Sequence, residues 1–274
     1  MSQRRGGNQN IPRPDNWRLG DIPEWMNRDF SVLNDIEEIS RRLHLHVASD
    51  QPTNIDLKQE WVASSRPSAV LIPLLVTNDG PSVLLTRRAD HLRSHKGEIS
   101  FPGGRMEPDE TPHETAIREA HEEVALPHEA VTIIGTLEPI ATFVSNSHIT
   151  PVVALVNGEP DLRADPGEVA RIMTVPLQNL ARTDTYRNEW WSTDRGEINI
   201  HFFELDDETV WGATGRLLHQ RLMQSLRPKL RCAKTAHGSE VRFCPRQTLH
   251  LRQSKFENTT GTRISSELRI YSKA

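Results

Sequence analysis

The sequence predicts an α/β domain, a mixed β-sheet with helices on both faces. Three observations predict it. Short β-rich apolar runs recur through the middle of the chain, and two of them flank hairpin chemistry at Asn78-Asp79-Gly80. Three other segments carry apolar residues at helical spacing. The 274 residues, 36% hydrophobic and 26% charged, suffice for one sizeable core, and no apolar run approaches the roughly 20 residues of a membrane helix.

In chain order, residues 1–28 are predicted to be disordered, because the Gly, Asn, Arg and Pro-rich start has no periodicity. The segment 29–65 holds a helix and a wrap: Val32, Leu33, Ile36, Ile39 and Leu43 share one face of a helix from Asp29 to Leu45. The main domain is placed at 66–226. It opens with a strand from Ser68 to Thr77, in which Pro73 predicts a bulge or an edge. The answering strand runs from Pro81 to Arg88, and Glu98–Phe101 is a short strand before a glycine turn. Further strands are predicted at Val131–Leu137, Ile149–Val156, after Glu168, and as a hairpin of Glu189–Ser192 with Ile198–Leu205. A helix within Thr209–Leu226 closes the domain.

The best-signalled element is the helix after Gly103-Gly104. Thr111 is an N-cap, Pro112 suits the first turn, and Glu114 completes a capping box. Ile117, Ala120 and Val124 form its apolar face; Glu119, Glu122 and Glu123 cluster on another. Like charges one turn apart cost a helix roughly 0.2–0.5 kcal/mol per pair. The alternative to a solvated acidic face is a set of hard oxygen ligands suited to Mg²⁺ or Mn²⁺.

Gly104, Glu110, Arg118-Glu119-Ala120, Glu122-Glu123 and Ala125-Leu126, at these spacings, resemble the Nudix box, with Ala125 where the family usually has glycine. The resemblance implies the α/β/α sandwich, with a central mixed β-sheet and a loop-helix-loop, of a Nudix pyrophosphohydrolase. It implies metal binding by Glu119, Glu122 and Glu123, and a bracing ion pair of Glu110 with Arg118. Upstream, Leu84-Leu85-Thr86, Arg88-Ala89, Arg93, Gly97 and Phe101-Pro102-Gly103-Gly104 resemble the coenzyme A pyrophosphatase branch. Arg88, Arg93, Gly103 and Gly104 are the implied substrate-binding residues. Arg87, His95 and Lys96 are further cations beside them, with surface charge as the alternative. Either Glu119 or Glu168 is the expected general base, with Glu123 also catalytic; an extra metal ligand and a capping carboxylate are the alternatives for Glu168.

The implied reaction is metal-assisted hydrolysis of coenzyme A or a derivative to 3′,5′-ADP and 4′-phosphopantetheine. The alternatives are another nucleoside diphosphate derivative such as ADP-ribose or NADH, or a non-catalytic Nudix-fold binding module. Two late cysteines, Cys232 and Cys244, predict no disulfide framework, and the charged N-terminus has no apolar run behind it, so a cytoplasmic location is expected. Residues 227–274 carry 11 Lys+Arg against 3 Asp+Glu, whereas the preceding residues carry 22 against 34. They read as a mobile basic extension, for which nucleic acid is only a secondary partner. A small-molecule substrate is the expected partner, with a homodimer allowed and no membrane.

Overall fold

The computed structural model describes residues 5–23, 25–47, 65–142, 146–194 and 196–226. Its centre is the predicted hairpin, β2 (Arg66–Thr77) and β3 (Gly80–Arg88), closed by Leu74↔Val83 to Thr77↔Gly80. Beyond Leu74 and Val83 the two strands part. Into the gap come β4 (Ile99–Ser100), which pairs with Thr86 and Arg87, and β5 (Gly103–Arg105), which pairs with Ser68–Val70. The Leu71 amide reaches Pro102 O at 2.8 Å. Pro73 stands where the hairpin divides: its next partner would be Leu84, and it has no N–H to give. The bulge or edge expected from this proline is therefore a change of partner inside a central strand.

Four further strands and four helices complete the frame. β6 (Val131–Thr136), β7 (Ile140–Thr142) and β8 (Ser147–Val156) extend the sheet, with β8 parallel to β2. β9 (Val169–Pro176) lies antiparallel along the outer edge of β3. Strict alternation sends Ala69, Leu71, Leu84, Val152 and Ala154 to one face, against α2 (Pro112–Val124). Ile72, Leu74, Val83, Leu85 and Val153 face the other way, into the core shared by Ile39 and Leu43 of α1 (Ile36–Val47). Leu177 and Leu180 of the short α3 (Leu177–Ala181), and Leu217, Leu218 and Leu222 of α4 (Gly212–Ser225), join that core. Helices on both faces of a mixed sheet give the α/β class that the sequence predicts.

Three features differ from expectation. The first helix is broken: Ser31–Asn34 form a 3-10 turn, and the Asp35 carboxylate accepts from the amides of Glu37 and Glu38 at 3.0 Å, starting α1 afresh. The hairpin of β10 (Tyr186–Thr193) and β11 (Gly196–Glu204) forms as predicted, but it belongs to a separate antiparallel sheet in the order β1-β10-β11-β12. There β12 is Thr209–Val210 and β1 is Trp17–Leu19. Within the segment expected to be disordered, residues 5–23 thus include a strand, registered Trp17↔Trp191 to Leu19↔Glu189. The sequence hides it because β1 is exposed along its whole length and is held by backbone and charge instead of an apolar face. The wrap at 48–64 and the basic extension at 227–274 lie outside the described residues. No helix among the described residues is long and apolar enough to cross a membrane.

Candidate active site

The site forms where β4–β5 wedge between β2 and β3 and α2 crosses the wedge. The helix starts as its sequence dictates: the Thr111 side chain accepts from the Glu114 amide, and the Glu114 carboxylate accepts from the Thr111 amide at 2.8 Å. It ends at Ala125, held in the left-handed region at φ 54°. The buried stripe is Ala116, Ala120 and Val124; Ile117 sits at its half-buried margin.

The three helix carboxylates part company. Glu122 is exposed, with its Oε2 2.9 Å from Arg118 Nη1. Glu119 is half-buried, takes Arg118 Nη1 at 3.0 Å, and lies over Gly104, where a side chain would displace its carboxylate. Glu123 is buried, 4% exposed, although periodicity alone places it with the polar face. Its carboxyl is pushed up to about 8, first by burial and then by the charges of Glu168 and Glu119. Arg88 and a hydrogen bond from the Gly103 backbone oppose that shift. Burial likewise raises Glu119, with Glu122 and Glu168 adding to it and Arg118 opposing.

Glu168 comes from a different element. Its carbonyl accepts from the Ala89 amide at 2.8 Å, which fixes the start of β9 beside the end of β3. Arg88 is half-buried, and its Nε is buried without a hydrogen-bond partner among the described residues. Gly103 has a spatial requirement as strict as that of Gly104: a Cβ there would stand 2.6 Å from Val70 Cα.

Arg118 and Glu110 brace the loop. Arg118 Nε and Nη2 reach Glu110 at 2.7 and 3.1 Å, and Nη2 also reaches Arg105 O at 3.2 Å. Glu110 accepts in addition from the Thr115 hydroxyl at 2.7 Å and the Glu107 amide at 3.0 Å. Arg118, foremost among these donors, lowers the Glu110 carboxyl to about 2.

Not every predicted cation converges. Arg87 turns to the opposite side of β3, bonds Asp90 at 2.9 and 3.0 Å, and lies 3.3 Å from Glu208. His95 pairs with Glu98 at 2.9 Å, and the pairing raises its pKa. Arg93 is exposed on the loop between β3 and β4. Among the described residues, no three His, Cys, Asp or Glu side chains form a ready-made metal cage. The donor set nevertheless suits a hard divalent cation: Glu119, Glu123 and Glu168 all offer carboxylate oxygens, and the charge of Glu168 is near enough to raise both Glu119 and Glu123.

A NUDIX domain model matches residues 65–195. The chain is 38% identical to the Nudix hydrolase NudL of Yersinia enterocolitica over 165 residues, covering 59% of this chain and 83% of that one. Against NudL of Yersinia pestis the identity is 34% over 193 residues, covering 69% and 94%. Among solved structures, a Nudix hydrolase from M. smegmatis, RenU, is 26% identical with a TM-score of 0.37, covering 43% of this chain and 74% of that one.

Proposed function

Because the chain belongs to the Nudix hydrolase family and is a pyrophosphohydrolase acting on a nucleoside diphosphate derivative, we propose that its substrate is coenzyme A or a derivative. The products are 3′,5′-ADP and 4′-phosphopantetheine. The observation that carries this reading is the position of Arg88. The upstream motif that resembles the coenzyme A branch ends β3, and its Arg88 acts on the carboxylate of Glu123, with a buried Nε free to donate. A guanidinium there is matched to diphosphate oxygens.

The residues divide the work. Glu119, Glu123 and Glu168 would hold Mg²⁺ or Mn²⁺, with Glu122 at the exposed margin. Such a cation, when bound, neutralises the diphosphate and makes an attacking water more acidic. Glu119 or Glu168 takes the water's proton. Arg88 binds the diphosphate, and the exposed Arg93 meets the outlying 3′-phosphate. Gly103 and Gly104 let the wedge lie flush against β2 and the Glu119 carboxylate. Glu110 and Arg118 keep the loop at a fixed distance from the helix and take no chemical part. The hydrolase domain is assigned to 66–226.

Mass spectrometry of products from coenzyme A, ADP-ribose and NADH, each with Mg²⁺ or Mn²⁺, tests the proposal. The expected result is 3′,5′-ADP and 4′-phosphopantetheine from coenzyme A at the highest kcat/KM. Preferred cleavage of ADP-ribose or NADH would overturn the choice of substrate.

A further inference from the structure

The N-terminal segment does more than add an edge strand to the second sheet. Before β1 it runs as a strap across the turn between β11 and β12. Arg5 Nη1 donates to the Thr185 hydroxyl at 2.7 Å, and its Nε stands 3.1 Å from Asp206. The Gly6 amide reaches Leu205 O at 2.6 Å, and the Gly7 amide reaches Thr209 Oγ1 at 3.0 Å. Gly7 lies so close to this turn that a Cβ would come within 2.7 Å of Asp207 O and Glu208 Cα. Further along, Arg13 donates to the buried carboxylate of Glu189 at 2.9 and 2.5 Å.

Gln9 sits between these anchors, and both ends of its amide are used. Its Oε1 accepts from the Thr209 amide at 2.9 Å; its Nε2 donates to Glu208 and reaches Gly97 O at 3.4 Å. Glu208 is itself buried, 7% exposed, and is shared with Arg87 at 3.3 Å and Arg171 at 3.2 Å. Gly97 closes the cationic loop onto β3: its amide reaches Arg88 O at 3.2 Å, while the Arg88 amide reaches Glu98 O at 2.9 Å. A continuous set of contacts therefore runs from Gln9 through Glu208 to Arg87, and from Gln9 through Gly97 to the backbone of Arg88.

We propose that Gln9 is a positioning residue, by which the N-terminal strap fixes the Arg88–Glu98 loop and so the register of the cations that receive the substrate's phosphates. Assigning those cations to phosphate binding rests on the function proposed above. The mechanical coupling does not, because it is a property of the free protein. Gln9 touches no catalytic carboxylate, so its removal should loosen substrate capture and leave the chemical step alone.

The test compares Gln9→Ala and Gln9→Glu with wild type in the full chain. Hydrogen exchange of peptides covering 88–98, without substrate, should be faster in both variants, and more so in Gln9→Glu, which faces Glu208 with a second carboxylate. Steady-state kinetics on whichever of coenzyme A, ADP-ribose and NADH the wild type cleaves best should show KM raised about three- to tenfold for Gln9→Ala, with kcat within twofold. Unchanged exchange in 88–98 would overturn the inference whatever the substrate. Faster exchange with an unchanged KM would also overturn it. If coenzyme A is not cleaved but another diphosphate is, the choice of substrate fails while both arms still test the strap.

Discussion

His219 provides the most quantitative test of the packing. It stacks on His201 with ring centroids 3.8 Å apart and planes 12° from parallel, and Trp25 lies 5.4 Å away. The Tyr186 hydroxyl is 2.7 Å from His201 Nδ1. Burial lowers His219 to about 4; burial, with the charges of His219 and Arg216, lowers His201 to about 3. Both folded values lie below the unfolded value of about 6.5, so the stack's contribution is full above that pH and is lost as pH falls toward 4 and 3. Between pH 7 and 5 each imidazole should forfeit up to about 2 kcal/mol, or about 1–2 kcal/mol allowing for residual solvent exposure. His219→Phe keeps the stacked ring and removes one of the two titrations. Its fall in Tm between pH 7 and 5, followed by circular dichroism, should be smaller than the wild-type fall by roughly 2–8 °C. Glu110 and Asp184, both held near 2, do not obscure the comparison, since their contribution is lost only at lower pH. Parallel declines in wild type and variant would refute the argument that burial keeps these rings neutral.

Four further outcomes are expected. Glu123→Gln should lower kcat about a hundredfold or more while its Tm holds or rises, because the neutral amide replaces a buried carboxyl whose ionisation burial and the charges of Glu168 and Glu119 oppose; near wild-type turnover would remove Glu123 from the metal site. Arg88→Ala should cut kcat/KM at least about tenfold on both coenzyme A and its 3′-dephospho form, whereas Arg93→Ala should affect mainly the former; the reverse pattern would exchange their roles. Arg221 is 1% exposed on α4, bonds Ser225, and leaves Nε and Nη2 without hydrogen-bond partners among the described residues, so Arg221→Met should stabilise the fold by about 1–3 kcal/mol in denaturant titrations. Ala125→Gly should relieve the left-handed strain at the end of α2 and raise stability by up to about 1 kcal/mol; a lower midpoint would refute that reading.

Much of the site was legible because its elements carry local signals. The capping box fixed the start of α2, Asn78-Asp79-Gly80 fixed the hairpin, and the carboxylate spacing singled out Glu119, Glu122 and Glu123. Local spacing says nothing about depth, however. Glu123 is buried because the wedge and the end of β3 close over that side of the helix, a tertiary fact that no helical wheel contains. The same reason explains Arg87 and Arg88. They are adjacent cations in sequence, but the strand's alternation sends one to Asp90 and Glu208 and the other to Glu123. The N-terminal strap was illegible because its bonds come from glycine backbone, Gln9 and arginines, which in sequence resemble a solvated tail.

The division of the central hairpin at Pro73 bears on how the chain folds. Local closure of β2 and β3 is cheap, because their turn joins neighbouring residues. If zippering continued past Leu74↔Val83, Leu71 would meet Thr86 and seal the gap that β4 and β5 occupy. Such a fully zipped hairpin would be a kinetic trap, competing with arrival of the more distant strands. Pro73 interrupts that course at its first step, since the bond that would carry the zipper onward has no donor. The proline thus withholds the donor a fully zipped hairpin would need, at the point where the strand ends must stay apart for the segment bearing Gly103 and Gly104 to dock.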